Sequence, residues 1–309
     1  MSGFDTILIV GGGLIGSSIA RAARRYAQVN TVLMADSHAA VVAQIKALDI
    51  ADRVSVNVAK LAMDADLVIL AVPPGRMGAA AAAVIPAMKS GAVLSDVGSV
   101  KGAVIAAVKP HLRDDIVYVP GHPIAGTENS GPEAGFAELF KNRWCILTPD
   151  NENTDAAKSL TAFWEGLGSQ VAMMSAKRHD TVLATTSHVP HLLAYALVGT
   201  AVDMERVTDN EVVKFSAGGF RDFTRIAASD PEMWRDVFLS NKTAVLEVVD
   251  RYIEDLSALK RAIRWGEGEA LLREFSKTRN IRRQIIDAGQ DTSAANFGRD
   301  DSNDINAGD

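Results

Sequence analysis

The sequence predicts an N-terminal doubly wound α/β domain followed by an all-helical domain. Three observations predict this organisation. Short apolar segments alternate with helical segments up to about Met174, a glycine-rich turn follows the first apolar segment, and strand signals end after about Ser175. The chain has 309 residues, which is long enough for two domains with separate cores.

Six segments rich in Val, Ile and Leu on both faces are predicted to be parallel strands covered by helices. They are residues 6–10, 31–35, 67–72, 93–97, 116–119 and 145–148. Between them, Ala-rich segments such as 14–26 and 77–88 have helical periodicity. This alternation of strand and helix is typical of a doubly wound sheet.

The C-terminal part predicts three helices, at residues 177–203, 233–262 and 268–288. The pair Asp230-Pro231 is a helix start signal for the second of them. We therefore expect domains at residues 1–174 and 175–288. The tail, residues 289–309, is polar and acidic, and it is predicted to be disordered.

Composition narrows the possible functions. The net charge of −6 argues against a non-specific nucleic-acid binder, which normally has a basic surface. Polar residues interrupt the apolar segment 182–202, so it is not predicted to span a membrane. A single cysteine, Cys145, cannot form an internal disulfide and fits a reducing cytoplasm.

The first predicted strand leads directly into a Gly-x-Gly-x-x-Gly motif that opens a helix. Gly11 allows a tight turn, Gly13 lets the backbone approach a pyrophosphate, and Gly16 lets the helix pack closely on the strand. The N–H groups at the helix start, at Leu14 and Ile15, are suited to phosphate oxygens. The glycines alone could form a structural turn, but this context predicts a Rossmann-type dinucleotide site.

Asp36 ends the second predicted strand, 20 residues beyond Gly16. A carboxylate there would accept hydrogen bonds from a ribose 2′-hydroxyl and repel a 2′-phosphate, which favours NAD over NADP. Asp36 could also cap the helix predicted at 39–48. Val72 and Pro73, at the end of the strand predicted at 67–72, are also expected to contact the cofactor.

Two polar residues follow other predicted strands, where open α/β sheets bind ligands. Ser99 follows the strand at 93–97, and His122 lies in a predicted loop after the strand at 116–119. A neutral imidazole with a pKa of about 6.5 suits a base that accepts a hydroxyl proton as hydride leaves. The alternatives are a turn or helix cap for Ser99 and a locally hydrogen-bonded loop residue for His122.

The helical part contributes histidines and arginines. Residues 187–191 are expected to begin a helix, with Pro190 in its first turn. His188 and His191 are spaced like metal ligands, but no further ligand set accompanies them, so no metal site is predicted. Arg221 and Arg225 could face solvent, or one of them could bind a substrate carboxylate in a bidentate manner.

In their order along the chain, these motifs resemble the prephenate and arogenate dehydrogenases of tyrosine biosynthesis. The matching segments are residues 11–17, 96–101, 121–126 with Glu128, 187–191 and 219–225, followed by Met233-Trp234. The resemblance implies a Rossmann-type domain, a helical dimerisation domain and an active site between them. It implies NAD(P)-dependent oxidative decarboxylation of a small cyclohexadienyl acid by a homodimer.

The resemblance also implies roles for individual residues. His122 resembles the catalytic base at the ring hydroxyl, Ser99 its partner there, and Arg225 the arginine that binds a substrate carboxylate. Pocket roles are implied for His179, His191 and Glu128.

Two other functions stay open at this point. A β-hydroxyacid dehydrogenase of the 6-phosphogluconate type would need a lysine in the helical domain, and Lys177 is the nearest one. A non-catalytic NAD-sensing protein would keep the glycine turn but would have no need for Ser99, His122 and Arg225 together. The preference for prephenate or arogenate also stays open.

Overall fold

The computed structural model describes residues 3–27, 29–127, 129–152, 154–205 and 217–287. The chain divides into two compact units, Met1–Lys242 and Thr243–Asp309. The tail predicted to be disordered, residues 289–309, lies outside the described residues.

The first unit contains a six-stranded sheet in the order β3-β2-β1-β4-β5-β6, and every pairing in it is parallel. This order confirms the predicted doubly wound fold class. The strands are β1 (Thr6–Val10), β2 (Thr31–Ala35), β3 (Arg53–Ser55), β4 (Leu67–Leu70), β5 (Val93–Asp96) and β6 (Val117–Val119). The helices between them are α1 (Leu14–Tyr26), α2 (Ala39–Ala47), α3 (Ala59–Ala62), α4 (Met77–Val84) and α5 (Lys101–Val108).

Both faces of this sheet are buried. On β1, Ile7 and Ile9 pack in one apolar cluster with Ile19 of α1, whereas Leu8 packs in a second cluster with Met77 of α4. Burial on both faces explains why the central strands are continuous apolar runs. It also holds the carboxyl ends of the strands in fixed positions.

A second, three-stranded sheet follows in the same unit. It consists of β7 (Gly121–Pro123), β8 (Trp144–Leu147) and β9 (Gln170–Met173), with α6 (Asp155–Gly166) between the last two. The prediction that residues 145–148 add a strand to the main sheet is therefore wrong. The prediction that His122 lies in a loop is also wrong, since His122 pairs with Ile146 across antiparallel strands. A three-residue strand containing Gly and Pro has too few β-forming residues to be recognised from sequence.

Residues 177–203 were predicted as one helix, and the structure forms a continuous helical segment there with one irregular turn. It contains α7 (Ala176–Leu183), a π-helical turn (Ala184–His188) and α8 (Val189–Glu205). The expected helix start at residues 187–191 is therefore wrong. Pro190 lacks an N–H donor and is the second residue after the π turn, which is where a helix accommodates such a residue.

The helix predicted at residues 233–262 is divided in two by Asn241. The structure contains α9 (Gly218–Thr224), a 3₁₀ turn (Arg225–Ala228), α10 (Pro231–Ser240) and α11 (Lys242–Trp265). The Asp230 side chain accepts a hydrogen bond from the Met233 N–H at 2.7 Å, which confirms the predicted start signal of α10.

The second unit consists of most of α11 together with α12 (Gly268–Asp287). Ala288, the last residue of the predicted third helix, lies outside the described residues. On α11 the exposed apolar side chains Leu246, Ile253, Leu256 and Ile263 recur at helical spacing and form one stripe. In the described part of the chain, no helix is long and apolar enough to cross a membrane.

Candidate active site

The glycine loop lies at the carboxyl end of β1 and has little room for side chains. Gly11 has a φ of +112°, and a Cβ there would lie 2.3 Å from the carbonyl oxygen of Ala71. A Cβ at Gly16 would lie 2.0 Å from the carbonyl oxygen of Gly11. A Cβ at Gly13 would have no heavy atom within 4 Å, so the backbone there borders open space. The loop therefore has the shape that a pyrophosphate requires.

The start of α1 faces the same space. The first helical hydrogen bond runs from the Ser17 N–H to the Gly13 carbonyl, so the N–H groups of Leu14 and Ile15 precede it. Val72 lies beside the loop, with its Cγ1 3.1 Å from the position of a Gly11 Cβ. Val72 and Pro73 follow β4, which ends at Leu70 rather than at residue 72 as predicted.

Asp36 follows β2 and is fixed against the glycine loop. Its carboxylate accepts hydrogen bonds from the Gly12 N–H and the His38 N–H, both at 2.9 Å. The residue that precedes α2 is His38, so the alternative of a helix cap at Asp36 is wrong. The carboxylate thus lies next to the loop where a dinucleotide ribose would bind.

A chain of hydrogen bonds joins His122, His179 and Asp180. His122 Nδ1 lies 2.8 Å from His179 Nε2, and His179 Nδ1 lies 2.8 Å from Asp180 Oδ1. A carboxylate only accepts, so His179 donates through Nδ1, and its Nε2 accepts from Nδ1 of His122. His179 is fully buried and His122 only partly. With these tautomers the Nε2 of His122 carries a lone pair, and no described residue donates a hydrogen bond to it.

The Asp180 carboxylate also caps α5. It accepts hydrogen bonds from the backbone N–H groups of Lys101 and Gly102, both at 2.8 Å. A Cβ on Gly102 would lie 2.9 Å from Asp180 Oδ2, so glycine permits the close approach. Burial raises the pKa of Asp180, but the hydrogen bonds from His179, Lys101 and Gly102 outweigh it and hold the pKa below its usual value. Sequence reasoning missed Asp180, although its position next to His179 was a usable signal.

A fully buried ion pair lies behind the strand that carries His122. The Lys101 ammonium contacts the Asp96 carboxylate and donates a hydrogen bond to the Gly121 carbonyl. The other Asp96 oxygen accepts from the Tyr118 hydroxyl at 2.7 Å. Sequence reasoning missed both charges, because a lysine that opens a helix is normally exposed.

Ser99 lies in the loop between β5 and α5 and is half-buried. The residue before α5 is Val100, so the helix-cap alternative for Ser99 is wrong. Within the described residues, no hydrogen bond joins Ser99 to His122. Ser99 does immediately precede the segment in which Lys101 and Gly102 contact Asp180.

Two histidines of the helical segment contact the ring of Trp234. The ring of His191 stacks on Trp234, with centroids 3.7 Å apart and planes 23° apart. The ring of His188 meets Trp234 edge-on. The Asn241 side chain donates a hydrogen bond to the Asp180 carbonyl at 2.8 Å and lies 3.1 Å from His188 Nδ1. The residue at the break between α10 and α11 therefore contacts this cluster.

Arg225 begins the 3₁₀ turn and is exposed. Burial lowers the pKa of His191, and the positive charge of Arg225 lowers it further, which places Arg225 near that ring. Arg221 is exposed and pairs with Asp222 at 3.3 Å. Glu128 lies outside the described residues.

Burial keeps the histidines of this site neutral. It is the largest cause that lowers the pKa of His122 well below 6.5. Repulsion from His179 and His188, if they were protonated, and from the positive charge of Lys101 lowers it further. The expected value of about 6.5 for the base is therefore too high. Burial also lowers the pKa of His179, and it lowers the pKa of His188 to about 4. The site thus presents an unprotonated base at neutral pH.

We predict that the folded protein loses stability as the pH falls from 6.5 towards 4. In the unfolded chain these histidines bind protons near 6.5, whereas in the folded chain they resist protonation until lower pH. For His188 alone the shift corresponds to about 3 kcal/mol. Urea denaturation at several pH values measures this. A His188→Gln variant should have a shallower pH dependence, and an unchanged slope would contradict this explanation.

Comparison with known proteins places these features in one family of enzymes. Residues 19–173 match the model of a prephenate dehydrogenase nucleotide-binding domain, and residues 175–277 match a prephenate dehydrogenase dimerization domain. A cyclohexadienyl dehydrogenase of Zymomonas mobilis is 44% identical, over 91% of this chain and 96% of the relative. A prephenate dehydrogenase of Bacillus subtilis is 34% identical, over 90% of this chain and 75% of the relative.

A solved structure is similar over almost its whole length. Prephenate dehydrogenase from A. aeolicus, in complex with hydroxyphenyl propionate and NAD+, aligns with a TM-score of 0.84 at 34% identity. The alignment covers 91% of this chain and 98% of that one.

Proposed function

Because this chain belongs to the prephenate dehydrogenase family, we propose that it catalyses the NAD-dependent oxidative decarboxylation of prephenate, arogenate or both. The products would be 4-hydroxyphenylpyruvate from prephenate and tyrosine from arogenate. The enzyme is a dehydrogenase of tyrosine biosynthesis, and its cofactor is NAD. The geometry that best supports a chemical role is the chain of hydrogen bonds from His122 through His179 to Asp180.

The glycine loop and Asp36 would hold the dinucleotide. The open space at Gly13 leaves room for the pyrophosphate, and the Asp36 carboxylate lies beside the loop to accept from the ribose. Bound NAD would supply the hydride acceptor. The residues around Ser99 and His122 follow β5 and β6, at the end of the sheet where such folds bind their ligands.

His122 would act as the general base. Its Nε2 lone pair would accept the proton of the ring C4 hydroxyl as hydride leaves C4. The ring carboxylate would leave as CO2, and its bonding electrons would complete the aromatic ring as a phenolate. The phenolate oxygen would then regain a proton from His122 or from water to give the phenol. The new positive charge on His122 would be stabilised through His179 by the ionised Asp180.

Further residues would bind and orient the substrate. Ser99 would contact the same hydroxyl as His122, and Arg225 would bind a carboxylate of the substrate. His191, stacked on Trp234, would line the pocket together with Glu128. His179, which is fully buried and bonded through both ring nitrogens, would orient His122 instead of contacting the substrate. Lys177, which a β-hydroxyacid dehydrogenase would need in the site, is exposed on α7.

We also propose domains at residues 1–174 and 175–288 and a homodimer formed through the second of them. The matched dimerization domain and the exposed stripe on α11 support the dimer. We propose a cytoplasmic location, supported by the one buried, unpaired cysteine, Cys145.

The proposed activity is tested by incubating the purified protein with NAD and either prephenate or arogenate. NADH formation together with release of CO2 is expected with at least one of the two substrates. Hydride transfer without loss of CO2 would contradict the proposed reaction. Comparison of kcat/KM for the two substrates then measures the preference for prephenate or arogenate, which the sequence leaves open.

The His122→Asn variant should bind the cofactor and substrate but have a kcat lower by about 10²–10⁴-fold, because the general base is lost. In the wild type, the acid limb of kcat/KM should lie below 6.5, since the pKa of His122 is lowered. His111→Asn changes an exposed histidine and is the matched control. A His122→Asn enzyme with near-normal kcat would refute the role of base.

The Arg225→Ala variant should raise KM by about 10–100-fold and leave kcat less affected, because a charge-assisted hydrogen bond to a carboxylate is lost. Arg225→Lys should restore little, since an ammonium cannot replace the planar guanidinium. Arg221→Ala, at an exposed arginine four residues earlier, is the control and should change little. Equal effects of the two alanine variants would overturn the assignment.

Discrimination between cofactors should depend on Asp36. The wild type should have a higher kcat/KM with NAD than with NADP, because the carboxylate repels a 2′-phosphate. Asp36→Ser should weaken binding of NAD and reduce the discrimination. Steady-state kinetics with both cofactors measure this, and equal or better use of NADP by the wild type would contradict it.

The homodimer should depend on the apolar stripe of α11. Light scattering should give the mass of two chains for the wild type. Leu256→Glu places a charge in the stripe and should favour the monomer. Arg251→Glu, on the opposite side of the helix, breaks only exposed ion pairs and should remain dimeric. A monomeric wild type at micromolar concentration would refute the dimer.

A further inference from the structure

We propose that Lys101 is a positioning residue for the reaction, which fixes the strand of His122 and keeps its imidazole uncharged. This inference rests on the proposed function of His122 as the base. Lys101 would not touch substrate or cofactor in this role, and it would act only through His122 and His179.

The first support is the complete burial of the charged side chain of Lys101. Lys101 and Asp96 have no exposed surface, and they contact each other inside the first unit. Buried ion pairs usually stabilise a protein no more than apolar residues of similar volume would. The buried Lys101 is therefore better explained by an effect on the neighbouring His122 than by stabilisation of the folded protein.

The second support is the pair of contacts that Lys101 makes. Its ammonium donates to the carbonyl of Gly121, the residue immediately before His122. Its backbone N–H donates to Asp180, whose carboxylate also accepts from His179. Lys101 thus fixes the backbone next to His122 and also the Asp180 carboxylate, which orients His179. The strand β7 has only three residues, so it offers few other bonds to hold His122 in place.

The third support is the balance of charges around His122. Seven titratable groups surround His122 or the groups that contact it. They are His179 and Asp180 on α7, His188 on the π turn, Lys101 on α5, Asp96 on β5, Tyr118 on β6 and Cys145 on β8. Burial raises the pKa of Tyr118 and of Cys145, which keeps both neutral. Asp180 and Asp96 favour a positive charge on His179, whereas Lys101 disfavours a positive charge on either histidine.

Asp180 and Lys101 therefore have opposite effects on the charge of the histidine pair. Asp180 orients His179 and would stabilise the charge that His122 acquires during the reaction. Lys101 opposes that charge before the reaction, so that His122 stays an available base in mildly acidic solution. Without Lys101, acid should protonate His122 earlier and switch off the reaction at a higher pH.

The test measures the pKa of His122 by NMR of histidine-labelled protein, with the His122→Asn variant identifying the resonance. Lys101→Met should raise that pKa by about one unit or more. The double variant Asp96→Asn/Lys101→Met removes both buried charges and should fold even if the single variant does not. It should also raise the pKa, because Lys101 acts on His122 more strongly than Asp96 does.

Tyr118→Phe is the matched control, since it removes a hydrogen bond of the same cluster without changing any charge. It should leave the pKa of His122 within about 0.3 units of the wild-type value. An unchanged pKa in both lysine variants, or an equal shift in Tyr118→Phe, would overturn the inference.

The pH profile of kcat/KM separates this inference from the proposed function. If His122 is the base, the acid limb should move upward with its pKa in the lysine variants. A pKa that rises while the acid limb stays in place would support the effect of Lys101 and refute His122 as the base.

Discussion

Asp180 accepts hydrogen bonds from three groups, the imidazole of His179 and the backbone N–H groups of Lys101 and Gly102. These groups belong to α7 and α5, so one carboxylate ties the helical segment to the sheet domain at the point where β5 ends. If the carboxylate moved, α5 would lose its cap, and His179 would lose the bond that sets its tautomer. His122 would then lose the fixed acceptor for its Nδ1 proton. The geometry of the histidine pair therefore depends on this side chain.

Opposite charges lie on the two sides of the histidine pair. Asp180 is ionised because its hydrogen bonds outweigh its burial, and Lys101 is held by Asp96 and the Gly121 carbonyl. In the proposed reaction, this arrangement would let two adjacent histidines remain neutral beforehand and still accept a proton. Burial and the charge of Lys101 both disfavour a charged His122. Neither would stabilise the charge that forms during the reaction, which is the part left to Asp180.

Local signals in the sequence predict the dinucleotide-binding half well. Strands such as β1 are apolar on both faces, and Gly11 and Gly16 occupy positions that only glycine can fill. These features can be recognised from neighbouring residues in the sequence alone. His122 was predicted from its position after a strand and from imidazole chemistry, whereas Arg225 was chosen over Arg221 through a family resemblance, and both roles remain proposals. The strand β7 could not be predicted, since three residues including Gly and Pro have no recognisable pattern.

The break at Asn241 was missed for a related reason. Its side chain contacts Asp180 and His188, which lie more than fifty positions earlier in the chain. Lys101 was missed because nothing next to it in sequence indicates that Asp96 and Gly121 will enclose it. The tautomer of His122 tests its proposed role as the base most directly, and nitrogen-resolved NMR of labelled histidine reads that tautomer at neutral pH. We expect a proton on Nδ1 and a free Nε2, whereas a proton on Nε2 or a charged ring would contradict this role.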